Sequence, residues 1–530
     1  MLMGLTDFSQ DMSSGDLIIA ALLIPATAAL LIPLFHRSPN LREAVTLIAA
    51  TSLAMVAWSL YPRIIAGAQP ELKVWDVAPG LDLAFKVEPL GMLFGLIAST
   101  LWVVNSIYSI GYMRGNDEPR QTQFYVCFAV AIAATMSLAF SANLFTMFVA
   151  YELLTLSTYP LVTHKATPEA MKAGRVYLVL LIGTSMVLFL PAILLTWAAA
   201  GTLDFTPGGI IVAQGLEPLQ TLGATDAISK AIPLSPLLIG GLLFLFVFGI
   251  GKAAVMPVHF WLPAAMVAPT PVSALLHAVA VVKAGVFSIL KVVVYIFGID
   301  TLSKTGAGDW LVYVAGFTVI MASIIALRQD NLKKRLAFST VSQLSYVVLA
   351  AAILTPISAI GAAMHIAAHA VSKITLFFAA GSIYTAAHKT EISQLNGIGW
   401  KMPWTMTAFA IGALAMIGLP PTAGFLGKWF MLQGAVTTEQ WFPVAVIVLS
   451  TVLNASYFLP ILVRAFFLEA VPVSMHAAGA KNAKDTHDDD HGEAPFPIVL
   501  ALTITASMSV LLFLFPDVVL DLAKLMVAGG

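Results

Sequence analysis

The stretch GKAAVMPVHFWLPAAMVAPTPVSALLHAVAVVKAGVFSILK, Gly251 to Lys291, decides how the rest of the chain is read. It is strongly apolar, it carries isolated lysines at Lys252 and Lys283, and Pro257, Pro263, Pro269 and Pro271 interrupt it. Proline removes a backbone donor and breaks a helix. A lysine inside an apolar span is costly and marks a functional site by default.

Working outward, apolar runs long enough to span a bilayer recur from end to end. Of the 530 residues, 59% are hydrophobic and only 10% charged, where a soluble domain carries about 25% charged residues. Both numbers require a polytopic helical membrane protein. The net charge of -1 gives no basis for nucleic-acid binding. The single cysteine, Cys127, lies in an apolar run, which excludes a disulfide framework, a Cys-based zinc site and Cys-ligated iron–sulfur clusters. Residues 1–16 hold no lysine or arginine, so the charged start of a signal peptide is missing. The run from Leu17 to Phe35 reads as a retained span.

Fourteen spans are expected, near 17–35, 41–61, 88–111, 122–140, 143–163, 174–200, 236–262, 271–297, 308–327, 332–354, 357–387, 403–433, 441–468 and 497–526. Longer loops fall at 201–235 and 469–496. Lysines and arginines crowd the loops after odd-numbered spans, among them Arg37, Arg114, Lys165, Lys333 and Lys389, and are sparse elsewhere. The positive-inside rule then makes those loops cytoplasmic and places both termini outside. Two spans are broken by Gly and Pro: the seventh at Pro257, the twelfth at GLPPTAG, 418–424. Matching broken spans point to an inverted-repeat transporter. The five-span offset makes the two run in opposite directions.

The ionisable residues inside the spans are few: Glu152, Lys252, Lys283, Lys373 and Lys428. Each costs roughly 2.5–3.5 kcal/mol at mid-bilayer, so they face one another or internal water. One reading is a buried ion pair that fixes packing, but it leaves three lysines without an acid. The other is a proton relay, because desolvation brings buried lysine and glutamate toward their titration points and an external event can bias the pair. His365, His369 and Lys373 recur every four residues and share one helical face. His277 lies six residues before Lys283, and neutral histidine both donates and accepts. Metal or haem ligation by His365 and His369 is the alternative, with no further ligand cluster inside the spans. His487 and His491, beside Asp488–Asp490, read as a solvated loop. Tyr151, Thr155 and Tyr159, and Ser339, Ser342, Gln343 and Ser345, offer water sites or helix–helix hydrogen bonds. No Rossmann fingerprint, phosphate loop or HExxH is present, so neither NADH oxidation nor ATP hydrolysis is expected of the chain itself. Asn454-Ala455-Ser456 fits a glycosylation pattern but lies within a span.

PVHFWLPAAMVAPTPVSALLHAVAVVKAG, KKRLAFSTVSQLSYVVLA (333–350), HIAAHAVSKITLFFAAGSI (365–383) and GLPPTAGFLGKW (418–429) resemble the antiporter-like subunits shared by Mrp-type cation/proton antiporters, respiratory complex I and membrane-bound hydrogenases. The resemblance covers roughly spans 3 to 13. It implies an all-α polytopic fold of about fourteen helices, with broken helices 7 and 12. It also implies N-terminal helices in 1–121, inverted five-helix repeats in 122–300 and 301–468, and a polar loop and last helix in 469–530. By resemblance Glu152 pairs with Lys252, Lys283 bridges, Lys373 is central, Lys428 is terminal, and His277, His365 and His369 assist. No cofactor or metal is implied. The partners implied are protons, with sodium as a second candidate, the bilayer, and homologous and small membrane subunits of one complex. Ala264 stands where an Asp usually follows WLP. Lys428, rather than Glu, favours Mrp-like or distal branches. The length, and the absence of a long lateral helix after span 14, favour an Mrp protein of the D type or a related subunit of a respiratory or hydrogenase-like complex. A stand-alone solute carrier and a haem or quinone protein are the competing classes.

Overall fold

A computed structural model describes residues 13–78, 81–216, 231–469 and 492–528. Prolines set many of the helix starts, since a first-turn proline gives up a donor with no intrahelical acceptor and presets φ. Helices begin in this way at Pro39, Pro89, Pro168, Pro236, Pro356 and Pro403. Asn143, Thr167, Ser235, Asn331 and Thr355 cap the helices they precede by accepting a backbone N–H.

Among the described residues twelve helical stretches are long and apolar enough to cross a membrane. They are α1 (Ser14–Phe35), α2 (Pro39–Ile65), α3 (Pro89–Gly115), α4 (Gln121–Ala139), α5 (Leu144–Val162), α6 (Pro168–Ala200), α8 (Thr270–Phe297), α9 (Asp309–Leu327), α10 (Leu332–Ala352), α11 (Pro356–Ala387), α14 (Trp441–Phe467) and α15 (Phe496–Leu514). Two shorter apolar helices, α7 (Pro236–Gly249) and α12 (Pro403–Ile417), supply the first halves of the interrupted spans. After α7 the chain makes a 3-10 turn at Gly251–Ala253 and a four-residue helix at Trp261–Ala264. After α12 it resumes as α13 (Ala423–Thr437).

The layers differ in burial, and that places the core. The apolar windows of α8 and α11 are wholly buried and that of α10 is 94% buried, whereas those of α2 and α6 are 33% and 28% buried. A helix apolar on every side belongs in the centre of a bundle. α11 is the axis: its 32 residues span about 48 Å, and it packs on α3, α8, α10, α12, α13 and α15. Two glycines permit close approaches beside the buried bases. A Cβ on Gly285 of α8 would collide with the Lys252–Ala253 backbone, and one on Gly427 of α13 would press on His365 of α11.

Three features depart from the sequence reading. Residues 497–526 form two helices instead of one span, α15 and the amphipathic α16 (Asp517–Ala528). Pro516 ends the pattern, and Asp517, Asp521 and Lys524 charge one face of the second helix. Residues 71–86 hold an unanticipated antiparallel hairpin, β1 (Glu71–Ala78) with β2 (Leu81–Lys86). Its ion pair joins Lys73 to Asp82 at 2.8 Å. The sequence signal is the Pro79-Gly80 dipeptide between two short runs that contain valine, tryptophan and phenylalanine. Third, α8 is not regular, with wide π turns at Leu275–Val279 and Val293–Phe297. The loop histidines His487 and His491 lie outside the described part of the chain.

Candidate proton-carrying site

The first break places Lys252 against α5. Its backbone N–H donates to the Tyr151 hydroxyl at 3.1 Å, its ammonium donates to the Tyr151 carbonyl at 2.8 Å and to Thr155 Oγ1 at 2.5 Å, and it sits over the Tyr151 ring. Glu152 is the next residue along α5. The two side chains are not in ion-pair contact: Glu152 is half-buried, and its Oε1 has no hydrogen-bond partner among the described residues. The direct pairing implied by resemblance is thus a near approach, with tyrosine and threonine oxygens holding the ammonium.

Toward the axis, Lys283 Nζ meets His369 Nδ1 at 2.7 Å and donates to the Ile366 carbonyl at 2.9 Å, bridging α8 to α11. His277 lies in the first π turn of α8, wholly buried against the Phe377 ring, with neither ring nitrogen hydrogen-bonded among the described residues. Such turns recur at functional sites. A buried polar group without a protein partner is a place for ordered water. On α11, His365 Nε2 is bonded to Gln343 Oε1 of α10 at 3.0 Å, and its ring centre is 6.3 Å from that of His369. The two histidines are directed at different partners on α10 and α8.

Lys373, one turn further along α11, donates to Ser339 Oγ of α10 at 2.8 Å. Lys428 of α13 donates to the carbonyls of Met416 and Ile417 at 3.0 and 2.9 Å, with the Tyr346 ring 4.7 Å away. Those carbonyls close α12. A helix end leaves its last carbonyls unpaired, and a cation is stabilised there by the helix dipole. Gly418, at φ 92°, turns the chain at that point, and a Cβ there would strike the Lys428 stem.

The structure therefore brings Lys283, His369, His365 and Gln343 into one buried group, with Lys373 and Lys428 at its margins. Gln343 links the group to the second break, donating to the Met416 carbonyl at 3.1 Å. Lys252 and His277 stand beside this group without a direct bond to it.

Two sets of residues escaped the sequence reading. Lys291, at the far end of α8, is wholly buried and paired with Glu88 at 2.7 Å, while donating to the Ser141 carbonyl at 2.8 Å. It is the buried lysine with a direct carboxylate, and counting every lysine in Gly251–Lys291 against the span would have found it. On α14, Asn454 and Tyr457 reach Met416 and Ser339; a lone Asn within an apolar span was the available signal. At the end of the bundle where α3, α5 and α10 have their charged ends, a cavity of about 170 Å³ is lined by Tyr112, Lys165, Thr270, Lys333 and Tyr384. Glu118 lies 3.8 Å from Lys165 there. Burial raises the Glu118 carboxyl and pushes the neighbouring His164 down to about 4.

Residues 141–454 match the family described as NADH:quinone oxidoreductase/Mrp antiporter, transmembrane. NADH-quinone oxidoreductase subunit N of Desulforudis audaxviator is 30% identical over 464 residues, 86% of each chain. Hydrogenase-4 component B of Escherichia coli is 29% identical over 82% of this chain and 62% of its own length. A chain in the Mrp complex structure from Dietzia sp. superposes with a TM-score of 0.78 over 97% of both chains, at 21% identity.

Proposed function

The chain belongs to the NADH:quinone oxidoreductase/Mrp antiporter transmembrane family, and from that premise we propose that it is a proton-translocating subunit of a multi-subunit membrane complex. The observation that carries this reading is the row of buried bases between two helix breaks: Lys252, Lys283, His369, His365, Lys373 and Lys428, with no carboxylate in contact with any of them among the described residues. A purely structural set of lysines would be paired with acids, as Lys291 is with Glu88. Neutral oxygens and imidazoles hold these ammonium groups instead, so each can lose its proton without leaving an orphaned carboxylate. Glu152, half-buried beside Lys252, is placed to bias the first of them.

In this reading the repeats are 122–300 and 301–468, related by inversion, with α7 and α12–α13 as their broken helices. Protons move laterally from Lys252 through Lys283 and Lys373 to Lys428, with His277, His365 and His369 assisting. The positive loops face the cytoplasm of a bacterial-type inner membrane and both termini face outward. Exchange for sodium is the antiporter form. The 86% mutual coverage with a quinone oxidoreductase subunit favours a second form, in which a partner redox module drives the same relay. Purification from native membranes separates them: small membrane subunits alone mean an antiporter, and iron–sulfur or flavin subunits mean a redox complex. The relay itself is tested by Lys252→Ala and Glu152→Ala in the assembled complex, reconstituted in vesicles. Transport is lost in both while assembly survives; unchanged pumping in either rejects the relay.

A further inference from the structure

Tyr457 is wholly buried on α14, and its one hydroxyl proton has two acceptors: Ser339 Oγ at 3.0 Å and Asn454 Oδ1 at 2.6 Å. A phenol has a single proton to donate, so it serves one of them at a time. Each acceptor leads to a different lysine. Ser339 Oγ accepts from Lys373 Nζ at 2.8 Å. Asn454 Nδ2 donates at 3.3 Å to the Met416 carbonyl, one of the two that hold Lys428.

We propose that Tyr457 and Asn454 are positioning residues that carry the protonation state of Lys373 to the carbonyl cradle of Lys428, through the direction of the Tyr457 hydroxyl. The proposal rests on the relay reading above. When Lys373 is charged it donates to Ser339 Oγ; Ser339 turns its own proton toward the Tyr457 oxygen, and Tyr457 donates to Asn454. The Asn454 amide is then held on Met416, and that carbonyl shares its electron density between Asn454, Gln343 and Lys428. When Lys373 is neutral its nitrogen lone pair accepts from Ser339. Ser339 Oγ then accepts the Tyr457 hydrogen bond, Asn454 Oδ1 loses its donor, and the Asn454 amide holds the Met416 carbonyl less firmly, leaving more of that carbonyl to Gln343 and the Lys428 ammonium. Proton loss at Lys373 thus strengthens the hold on a charged Lys428. Hydroxyl rotors inside a buried chain of hydrogen bonds polarise one another in this way. Lys373 is faced by His277 and Lys283 of α8 and by His365 and His369 of its own helix; Tyr457 is faced by Arg335, which donates to the Tyr457 carbonyl at 3.0 Å, and by Tyr346, whose hydroxyl is bonded to Ser450.

The test uses Tyr457→Phe in the full complex, which removes one oxygen and leaves the packing. Transport in membrane vesicles is measured across pH, with assembly followed by co-purification. The expected result is normal assembly, a rate about five- to tenfold lower, and a rate–pH profile displaced from wild type. Asn454→Leu gives the same phenotype, and the double variant loses nothing further, because both cut one arm. A wild-type rate and profile in Tyr457→Phe, or losses that multiply in the double variant, overturns the proposal. If Tyr457→Phe fails to assemble, Ser339→Ala cuts the arm at its other end, and an undisplaced profile there overturns it equally. Lys252→Ala in parallel separates the two levels: active Lys252→Ala sinks the relay, while inactive Lys252→Ala with an undisplaced Tyr457→Phe profile sinks only this coupling.

Discussion

The two helix breaks carry the same residue in different electrostatic settings. At the first, Lys252 lies inside the break, and its ammonium is held by a carbonyl and a threonine of another helix, α5. A glutamate stands one residue from that carbonyl. At the second, Lys428 lies beyond the break on α13, and its ammonium is held by the last carbonyls of α12, with no acid in contact among the described residues. The first lysine is therefore open to control by an external carboxylate, and the second by hydrogen bonds made to the helix end that holds it. In the proposed relay one lysine answers to Glu152; the other answers to Gln343 and Asn454, which share its carbonyl.

The largest effects break the comparison outright. Lys252→Ala and Lys428→Ala each reduce proton transport on the order of a hundredfold, as expected for loss of a positioned proton-transfer group. Glu152→Gln slows transport in the Lys252→Arg background no further, if its role is exerted through Lys252. Vesicle transport assays read both.

Lys291 calibrates the pair, since it has the direct carboxylate that the other two lack. Lys291→Met leaves Glu88 buried and unpaired and costs about 3–5 kcal/mol of stability, read as a fall in thermal unfolding temperature. The double variant Glu88→Gln/Lys291→Met recovers most of it. Lys428→Met leaves no charge behind, and its cost falls well below that of Lys291→Met.

Gly285→Ala and Gly427→Ala sharpen the geometry, each driving a methyl into a neighbour across a break and costing about 1–3 kcal/mol. The Gly285 variant disturbs the Lys252 backbone, and the Gly427 variant meets the His365 side chain and backbone. Thermal unfolding of each variant reads the cost.

The smallest effect lies outside both breaks. His164 titrates near 6.5 when unfolded and at about 4 in the fold, because burial opposes its charge. A depressed histidine binds fewer protons folded than unfolded, so it removes stability as pH falls from about 6.5 to about 4. His164→Asn flattens the acid side of the stability–pH curve over that window.

Much of this is legible in the chain itself. Apolar runs of bilayer length give the spans, and a charge inside one is conspicuous because it is costly. Lys252, Lys283, Lys373 and Lys428 stand out for that reason, and GLPPTAG and Pro257 mark the breaks through backbone chemistry alone. The four-residue spacing of His365, His369 and Lys373 puts them on one face. The hairpin is harder to see, because β1 is exposed along most of its length and lacks a clean alternation. The last two helices read as a single span because α16 stays mostly apolar between its three charges, Asp517, Asp521 and Lys524, whereas α15 carries none.

What the sequence determined alone was the class of the protein, the identity of most of its buried bases and the places where helices must break, since each follows from local composition and from the cost of burying charge. Only the tertiary structure decided which base meets which partner. Lys283 finds His369 across 86 residues of sequence, Lys291 on α8 finds Glu88 at the head of α3, and Asn454 reaches a carbonyl 38 residues back. Hydrogen bonds act over about 3 Å, and distance of that kind is set by how helices pack. The pairing of Glu152 with Lys252 shows the limit: the two residues are neighbours without a direct contact, because a tyrosine carbonyl and a threonine hydroxyl lie closer to the ammonium.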